Sequence, residues 1–139
     1  MSRKQFFLSA LLAGILSVGI WFYKVYNKPH VNTEEIEADV VIDAQLLVNE
    51  FETNEEQANS KYLDQIIQVR GPINEVLSED GKTVITIGEG DMFGNVKCNI
   101  LTEEKIDTNT LKKGQIITIK GICTGYLMNV VLVRSVIIN

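Results

Sequence analysis

A seven-residue segment that occurs twice constrains this chain more than any other feature. Residues 65–71 read Gln-Ile-Ile-Gln-Val-Arg-Gly and return fifty residues later, at 115–121, as Gln-Ile-Ile-Thr-Ile-Lys-Gly. Four of the seven positions are identical, and Val69/Ile119 and Arg70/Lys120 are like-for-like changes. No third copy exists, so the chain is not a repeat array. Both copies alternate with a period of two and are rich in β-branched residues, which makes each a strand. By parity Ile67, Val69, Ile117 and Ile119 share the face of Gly71 and Gly121 and point inward, while Gln68, Arg70, Thr118 and Lys120 point outward. A glycine at the same place in both strands marks a sharp bend, which a small sheet needs in order to close on itself.

Turn signals at short intervals complete an all-β unit of five strands, at about 66–75, 83–88, 95–101, 116–124 and 129–138. Glu79-Asp80-Gly81 is a hairpin turn, a glycine-rich loop fills 88–94, a polar connection 102–114, and Gly125 lies in the last turn. Two short helices precede the strands. Asp43 reads as an N-cap, and Ala44, Leu47, Val48 and Phe51 fall at i, i+3, i+4 and i+7, with Leu46 widening that face. Thr53 and Glu56 have capping-box spacing for the second helix, in which Ala58 and Tyr62 share a face.

The other end of the chain has a different character. Residues 6–23 carry no charge and include ten Leu, Ile, Phe or Val side chains, with Arg3 and Lys4 before them and Lys24 and Lys28 after. As a helix the run spans about 27 Å, close to the hydrocarbon thickness of a bilayer. Trp21, Phe22, Tyr23 and Tyr26 cluster at its far end, where amphipathic rings favour the headgroup region. A secretory signal peptide is the rival reading, but Ala10 and Ala13 come too early for a cleavage site and the far end is aromatic. Leu12-Ala13-Gly14 resembles the start of a lipoprotein box, yet Ile15 stands where the lipidated cysteine belongs.

The expected organisation is a basic head at 1–5, a transmembrane anchor in contact with lipid at 6–25, a tether at 26–42 with a mobile acidic stretch, and a folded domain at 43–139. The flanking cations are tied two against two, but a short basic head ordinarily stays in the cytoplasm while the chain behind it crosses. The expected location is therefore a single-pass membrane protein with its soluble domain extracytoplasmic, at the cell envelope.

The capped helical pair leads into a strand with a Val-Arg-Gly step, a hairpin and a strand with Val96-Lys97-Cys98. The run 113–126, Lys-Gly-Gln-Ile-Ile-Thr-Ile-Lys-Gly-Ile-Cys-Thr-Gly-Tyr, and a valine-rich closing strand follow. Over 43–139 this pattern resembles the OB-fold family labelled tRNA-anticodon-like. Ala58, Tyr62, Gly71, Cys98, Gly114, Gly121, Cys123 and Gly125 carry the resemblance. It implies a mainly β architecture, a five-stranded OB-fold Greek-key barrel preceded by two short helices, with one N-terminal transmembrane helix in this chain. In that fold the second and third strands and two loops form the usual binding face, but fold alone does not assign function.

Nucleic-acid binding needs phosphate-neutralising charge and exposed aromatic platforms. Residues 29–139 carry nine Lys and Arg against eighteen Asp and Glu, a net −9, which disfavours nucleic acid as partner. Phe51 and Tyr62 belong to helix packing, so Phe93 and Tyr126 are the candidate platforms, with Arg70, Lys97, Lys120 and Arg134 as a candidate basic strip. Cys98 and Cys123 share the inward parity. In an OB barrel they approach one end, which leaves a disulfide and two separate buried thiols both open. The lone His30 lies on the tether and the cysteine spacing does not suit zinc, so no metal or cofactor is expected. Glu89 and Asp91 lack EF-hand spacing. Ser60, Ser78 and Ser135 lie outside any nucleophile motif, and no phosphate-binding loop occurs. The reading is a non-enzymatic, membrane-anchored module for a protein, peptide or glycan partner. The alternative is an RNA- or single-stranded-DNA-binding domain on the cytoplasmic face.

Overall fold

The computed structural model describes residues 3–26, 33, 35–101 and 106–138, so His30 and the part of the tether at 27–32 and 34 lie outside the described residues. The chain divides into two units, 1–31 and 32–139. The first is the helix α1, Arg3–Tyr26, 24 residues long, or about 36 Å. Its side chains from Leu12 to Tyr23 are exposed, although several others of this helix lie outside the described set. Among the described residues no helix is long and apolar enough to cross a membrane.

The second unit is built from β1 (Val40–Asp43), α2 (Ala44–Thr53), α3 (Glu55–Tyr62), β2 (Ile66–Glu79), β3 (Lys82–Ile87), β4 (Val96–Ile100), β5 (Ile116–Leu127) and β6 (Asn129–Ile137). The strands run β1-β2-β3-β4-β6-β5, and β2 also pairs with β5, which closes β2 to β6 into a five-stranded barrel. The pairings β2–β3, β3–β4, β5–β6 and β2–β5 are antiparallel and β4–β6 is parallel. This is the OB arrangement that the residue pattern resembles. Every residue of the buried apolar cluster lies between Ile42 and Leu132. The unit therefore holds its own core and its own sheet, as an independently folding domain must.

The duplicated segment explains the closure. The two copies pair with each other, antiparallel about Val69 and Ile119, so that Gly71 faces Ile117 and Gly121 faces Ile67. Each glycine lies beneath the other copy's isoleucine, small against large, which lets two inward-facing strands curve tightly around a filled interior. Ile67, Val69, Ile117 and Ile119 are all buried, as parity requires. The hairpin between β2 and β3 turns on Asp80 (φ 52°) and Gly81 (φ 74°), and that pair of positive angles matches the twist of the flanking strands.

The helices follow their caps. Asp43 Oδ1 accepts from the Gln45 amide at 2.9 Å, and Ala44, Leu47, Val48 and Phe51 are buried. The second cap is Asn54, whose Oδ1 accepts from the Gln57 amide at 3.1 Å, while Thr53 closes α2. The capping-box spacing from Thr53 pointed one residue early, because an asparagine adjoining it meets the same need. Leu46 is 53% exposed and does not widen the buried face.

The largest departure concerns the tether. Val40–Asp43 form a parallel strand on the first half of β2, in register from Val40 with Ile67 to Asp43 with Arg70. The stretch before it is fastened down rather than mobile at the residues described. The Asp39 amide donates to the Ile66 carbonyl at 2.8 Å and its Oδ2 accepts from the Ile66 amide at 2.9 Å. Thr33 Oγ1 donates to the Arg134 carbonyl at 2.6 Å. The chain is held there because the edge of β2 below its pairing with β3 would otherwise present unpaired amides.

Candidate interaction surface

The connection between β3 and β4 and the turn between β5 and β6 meet at one end of the barrel. The Gly94 amide donates to the Met128 carbonyl at 3.0 Å, and the Val130 amide to the Asn95 carbonyl at 2.9 Å. Two buried asparagines lock the junction. Asn129 Oδ1 accepts from the Asn95 amide at 3.0 Å, Asn95 Oδ1 accepts from the Gly90 amide at 3.1 Å, and Asn95 Nδ2 donates to the Gly90 carbonyl at 3.0 Å. A loop would ordinarily satisfy such groups with water. Here side-chain amides replace it, so the loop keeps one shape.

On this frame stand four large apolar side chains facing solvent: Met92 (77% exposed), Phe93 (55%), Leu127 (81%) and Met128 (58%). Met128 holds φ at 61°, a left-handed conformation costly for a bulky residue. The surroundings are acidic. Glu89 and Asp91 belong to the same loop, and a Cβ on Gly94 would lie 3.3 Å from Glu52 Oε1. A shallow cleft of about 470 Å³ adjoins Met92, lined among others by Pro72, Asn74, Glu89, Asp91 and Lys113.

Of the two candidate aromatic platforms, Phe93 is exposed on this surface and Tyr126 is committed to packing. The Tyr126 ring stacks on Phe51 (centroids 5.7 Å apart, 16° between planes) and its hydroxyl donates to Glu52 Oε1 at 3.4 Å. Partial burial, and then the negative charge of Glu52, push its phenol above the ordinary value.

The basic strip does not form as one feature. Arg70 is exposed on β2. Lys120 points outward by parity but is only 8% exposed, because the pre-strand segment covers it and its Nζ donates to the Ile36 carbonyl at 2.9 Å. Lys97 and Arg134 are on β4 and β6, away from β2 around the barrel. Arg134 lines a groove of about 280 Å³ with Lys82, Val84 and Asn99.

Cys98 and Cys123 are buried inward, as parity requires, and both are free thiols. Each pairs with Leu132, from opposite sides of β6. Two strand spacings, roughly 9–10 Å, separate them, beyond the 7 Å or so that a disulfide spans. In this structure the two are separate buried thiols, and burial pushes both up, Cys98 the further.

A second cleft, of about 440 Å³, lies between α2 and α3 and holds Glu50 and Lys61. Glu50 Oε2 accepts from Tyr62 Oη at 2.7 Å and pairs with Lys61 Nζ at 2.9 Å. The Tyr62 hydroxyl, and then Lys61, hold the Glu50 carboxyl below its ordinary range. Tyr62→Phe is expected to cost about 1 kcal/mol at neutral pH. Because the folded carboxyl is depressed, that difference is full above the ordinary carboxylate pKa and disappears as pH falls through the lower folded value. Urea midpoints of both proteins across acidic pH check it; a difference independent of pH refutes it. Among the described residues no group of three or more His, Cys, Asp or Glu side chains is placed to hold a metal.

Fold and surface together define an OB-fold binding domain with four exposed apolar side chains, Met92, Phe93, Leu127 and Met128, on two joined loop tips. The chain belongs to the tRNA_anti-like family, whose profile matches residues 1–137. Its structure is similar to that of a candidate nucleic acid-binding lipoprotein from Klebsiella pneumoniae, at 19% identity and a TM-score of 0.58, over 71% of this chain and 92% of that one. A weaker likeness, TM-score 0.46 at 9% identity, covers 80% of this chain and 23% of a candidate aspartyl-tRNA synthetase from Leishmania major. Comparison with curated proteins found no match. The sequence reading missed Asn95 and Asn129, since an asparagine at a strand start looks the same whether it faces solvent or bridges two loops.

Proposed function

We propose that this protein is a non-enzymatic, single-span membrane protein whose OB-fold body binds a protein, peptide or glycan partner at the cell envelope. The observation that carries the reading is a group of four exposed apolar side chains. Met92, Phe93, Leu127 and Met128 stand on two joined loop tips beside carboxylates, whereas the outward residues of β3 and β4, Lys82, Val84, Lys97 and Asn99, include no aromatic side chain for a base to stack on. A body of net −9 repels phosphates and suits a neutral or cationic partner. No described helix is long and apolar enough to cross a membrane, so the anchor at 6–25 rests on the sequence alone, on the eighteen uncharged residues 6–23 and the cations that flank them.

The test is topological. Ser78→Cys places a thiol on the exposed hairpin, where a membrane-impermeant maleimide reaches it once the outer envelope layers are permeabilised. Cys98 and Cys123 stay silent in the folded protein and both react after denaturation, with no mass change on reduction. Labelling of the introduced thiol only after the inner membrane is broken overturns the envelope reading.

A second reading has one observation in its favour. Lys82, Lys97 and Arg134 share the outer side of β3, β4 and β6, the region that OB-folds use for oligonucleotides. A single strand held by three such cations loses affinity with a log–log salt slope of about −2. A single-stranded RNA oligomer titrated at several salt concentrations decides it, and absence of binding or of that slope removes the reading.

A further inference from the structure

We propose that the joined loops carrying Met92, Phe93, Leu127 and Met128 are a docking site for a cationic, apolar peptide segment of a partner protein. This rests on the reading of the body as a binding module and names the class of partner and the surface. Three observations lead there. First, the four side chains are exposed at 55% to 81% on loop tips tied together by backbone and asparagine hydrogen bonds. A preformed loop gives up little entropy on binding, and methionines adapt to varied apolar side chains. Second, a methionine is kept at φ 61° on the outermost turn, where glycine or asparagine would relax the backbone. The Met128 carbonyl ties the two loops, but its side chain is 58% exposed and packs little there, so the use of that side chain lies in contact.

Third, the charge around the patch selects the occupant. Glu52, Glu89 and Asp91 border it, and among the described residues Lys113 is the one cation lining the adjoining cleft. Carboxylates at the rim repel the phosphates of an anionic bilayer and attract Lys or Arg on a peptide. The shallow cleft that Met92 lines with Glu89 and Asp91 sets carboxylates beside the apolar tips, which suits a short segment in which apolar and basic residues alternate.

The body holds its own core and its own sheet, so residues 33–139 serve for the test. The probe is a fluorescent peptide of alternating lysine and leucine, compared with its glutamate and leucine counterpart by anisotropy. The lysine peptide is expected to bind at least about tenfold tighter than the glutamate peptide, and the double variant Phe93→Ser/Leu127→Ser to weaken it about tenfold or more. Leu77→Ser, which removes a 52%-exposed side chain from β2, is expected to leave affinity within about twofold. Unchanged urea midpoints certify that the variants are folded. Equal binding of both peptides, equal loss in the Leu77 control, or no binding at about 1 mM peptide overturns the site. Binding to phosphatidylcholine vesicles that the double variant abolishes also overturns it, assigning the patch to lipid. None of these outcomes alters the labelling of the thiol introduced by Ser78→Cys, so the docking site and the envelope reading fail separately.

Discussion

Phe51→Ala is expected to destabilise the body by about 4 kcal/mol, within the range for an aromatic ring removed from a packed core. Phe51 is 1% exposed and lies between two rings, 6.0 Å from Tyr62 on one side and 5.7 Å from Tyr126 on the other. It is thus the joint between α2, α3 and the end of β5. Neither neighbour can collapse into the gap cheaply: the Tyr62 hydroxyl is held on Glu50 and the Tyr126 hydroxyl on Glu52. A domain of this size has only about 5–15 kcal/mol in total, so the variant sits near the folding threshold. Phe51→Leu keeps most of the volume and is expected to cost about 1–2 kcal/mol. Urea titration of residues 33–139 by circular dichroism measures both, since the single tryptophan, Trp21, lies outside those residues. A loss below about 1 kcal/mol for the alanine variant would mean that the helices are not packed on the barrel.

The same residues show how far a sequence can be read. The helix faces and the inward strand positions were legible because periodicity reports burial directly, and Phe51, Tyr62, Val69 and Ile119 are buried where 3.6- and 2-residue spacing put them. The duplicated heptapeptide gave the closure as well, since its two glycines required bends. What periodicity does not carry is which outward residue another segment covers. Lys120 and Arg70 have the same parity, yet one is buried with its ammonium on the Ile36 carbonyl and the other is exposed. The four residues of β1 are too few for alternation to be seen, and their pairing with β2 is parallel and non-local. Loop contacts are less legible still. Phe93 was visible as an exposed aromatic, but its association with Leu127 and Met128 depends on Asn95 and Asn129, 34 positions apart. The cysteines illustrate the limit of parity: it puts both inside the barrel, and only the register through Leu132 shows that a strand lies between them.

Gly121→Ala is the second large effect, and it separates the bend from the composition of the strand. A Cβ at this position would collide with Ser135 Oγ and would stand 3.1 Å from the Val133 carbonyl oxygen and 3.2 Å from Leu132 Cβ. The carbonyl belongs to backbone in the β5–β6 ladder, so relief requires β6 to move. The expected loss is about 3 kcal/mol, the upper part of the range for overpacking. Ser135 offers a way to divide that figure. Its Oγ is buried and has no hydrogen-bond partner among the described residues, so Ser135→Ala removes an unsatisfied polar atom and is expected to be neutral or stabilising by about 1 kcal/mol. It also removes the nearest atom in Cβ's path. In the Ser135→Ala background, Gly121→Ala is therefore expected to cost about 1 kcal/mol less than it does alone, a coupling of the size seen between residues in contact. Gly71→Ala tests the symmetry of the duplicated segment, since a Cβ there meets Ile87 Cγ2 at 2.6 Å and Ala44 Cβ at 2.9 Å. Those are side-chain atoms of β3 and α2, so Ser135→Ala gives it no relief. Equal rescue of both glycine variants by Ser135→Ala would show that general stabilisation, and not the local collision, accounts for the effect, and the close approach of β5 to β6 at Gly121 would lose its role in closing the barrel.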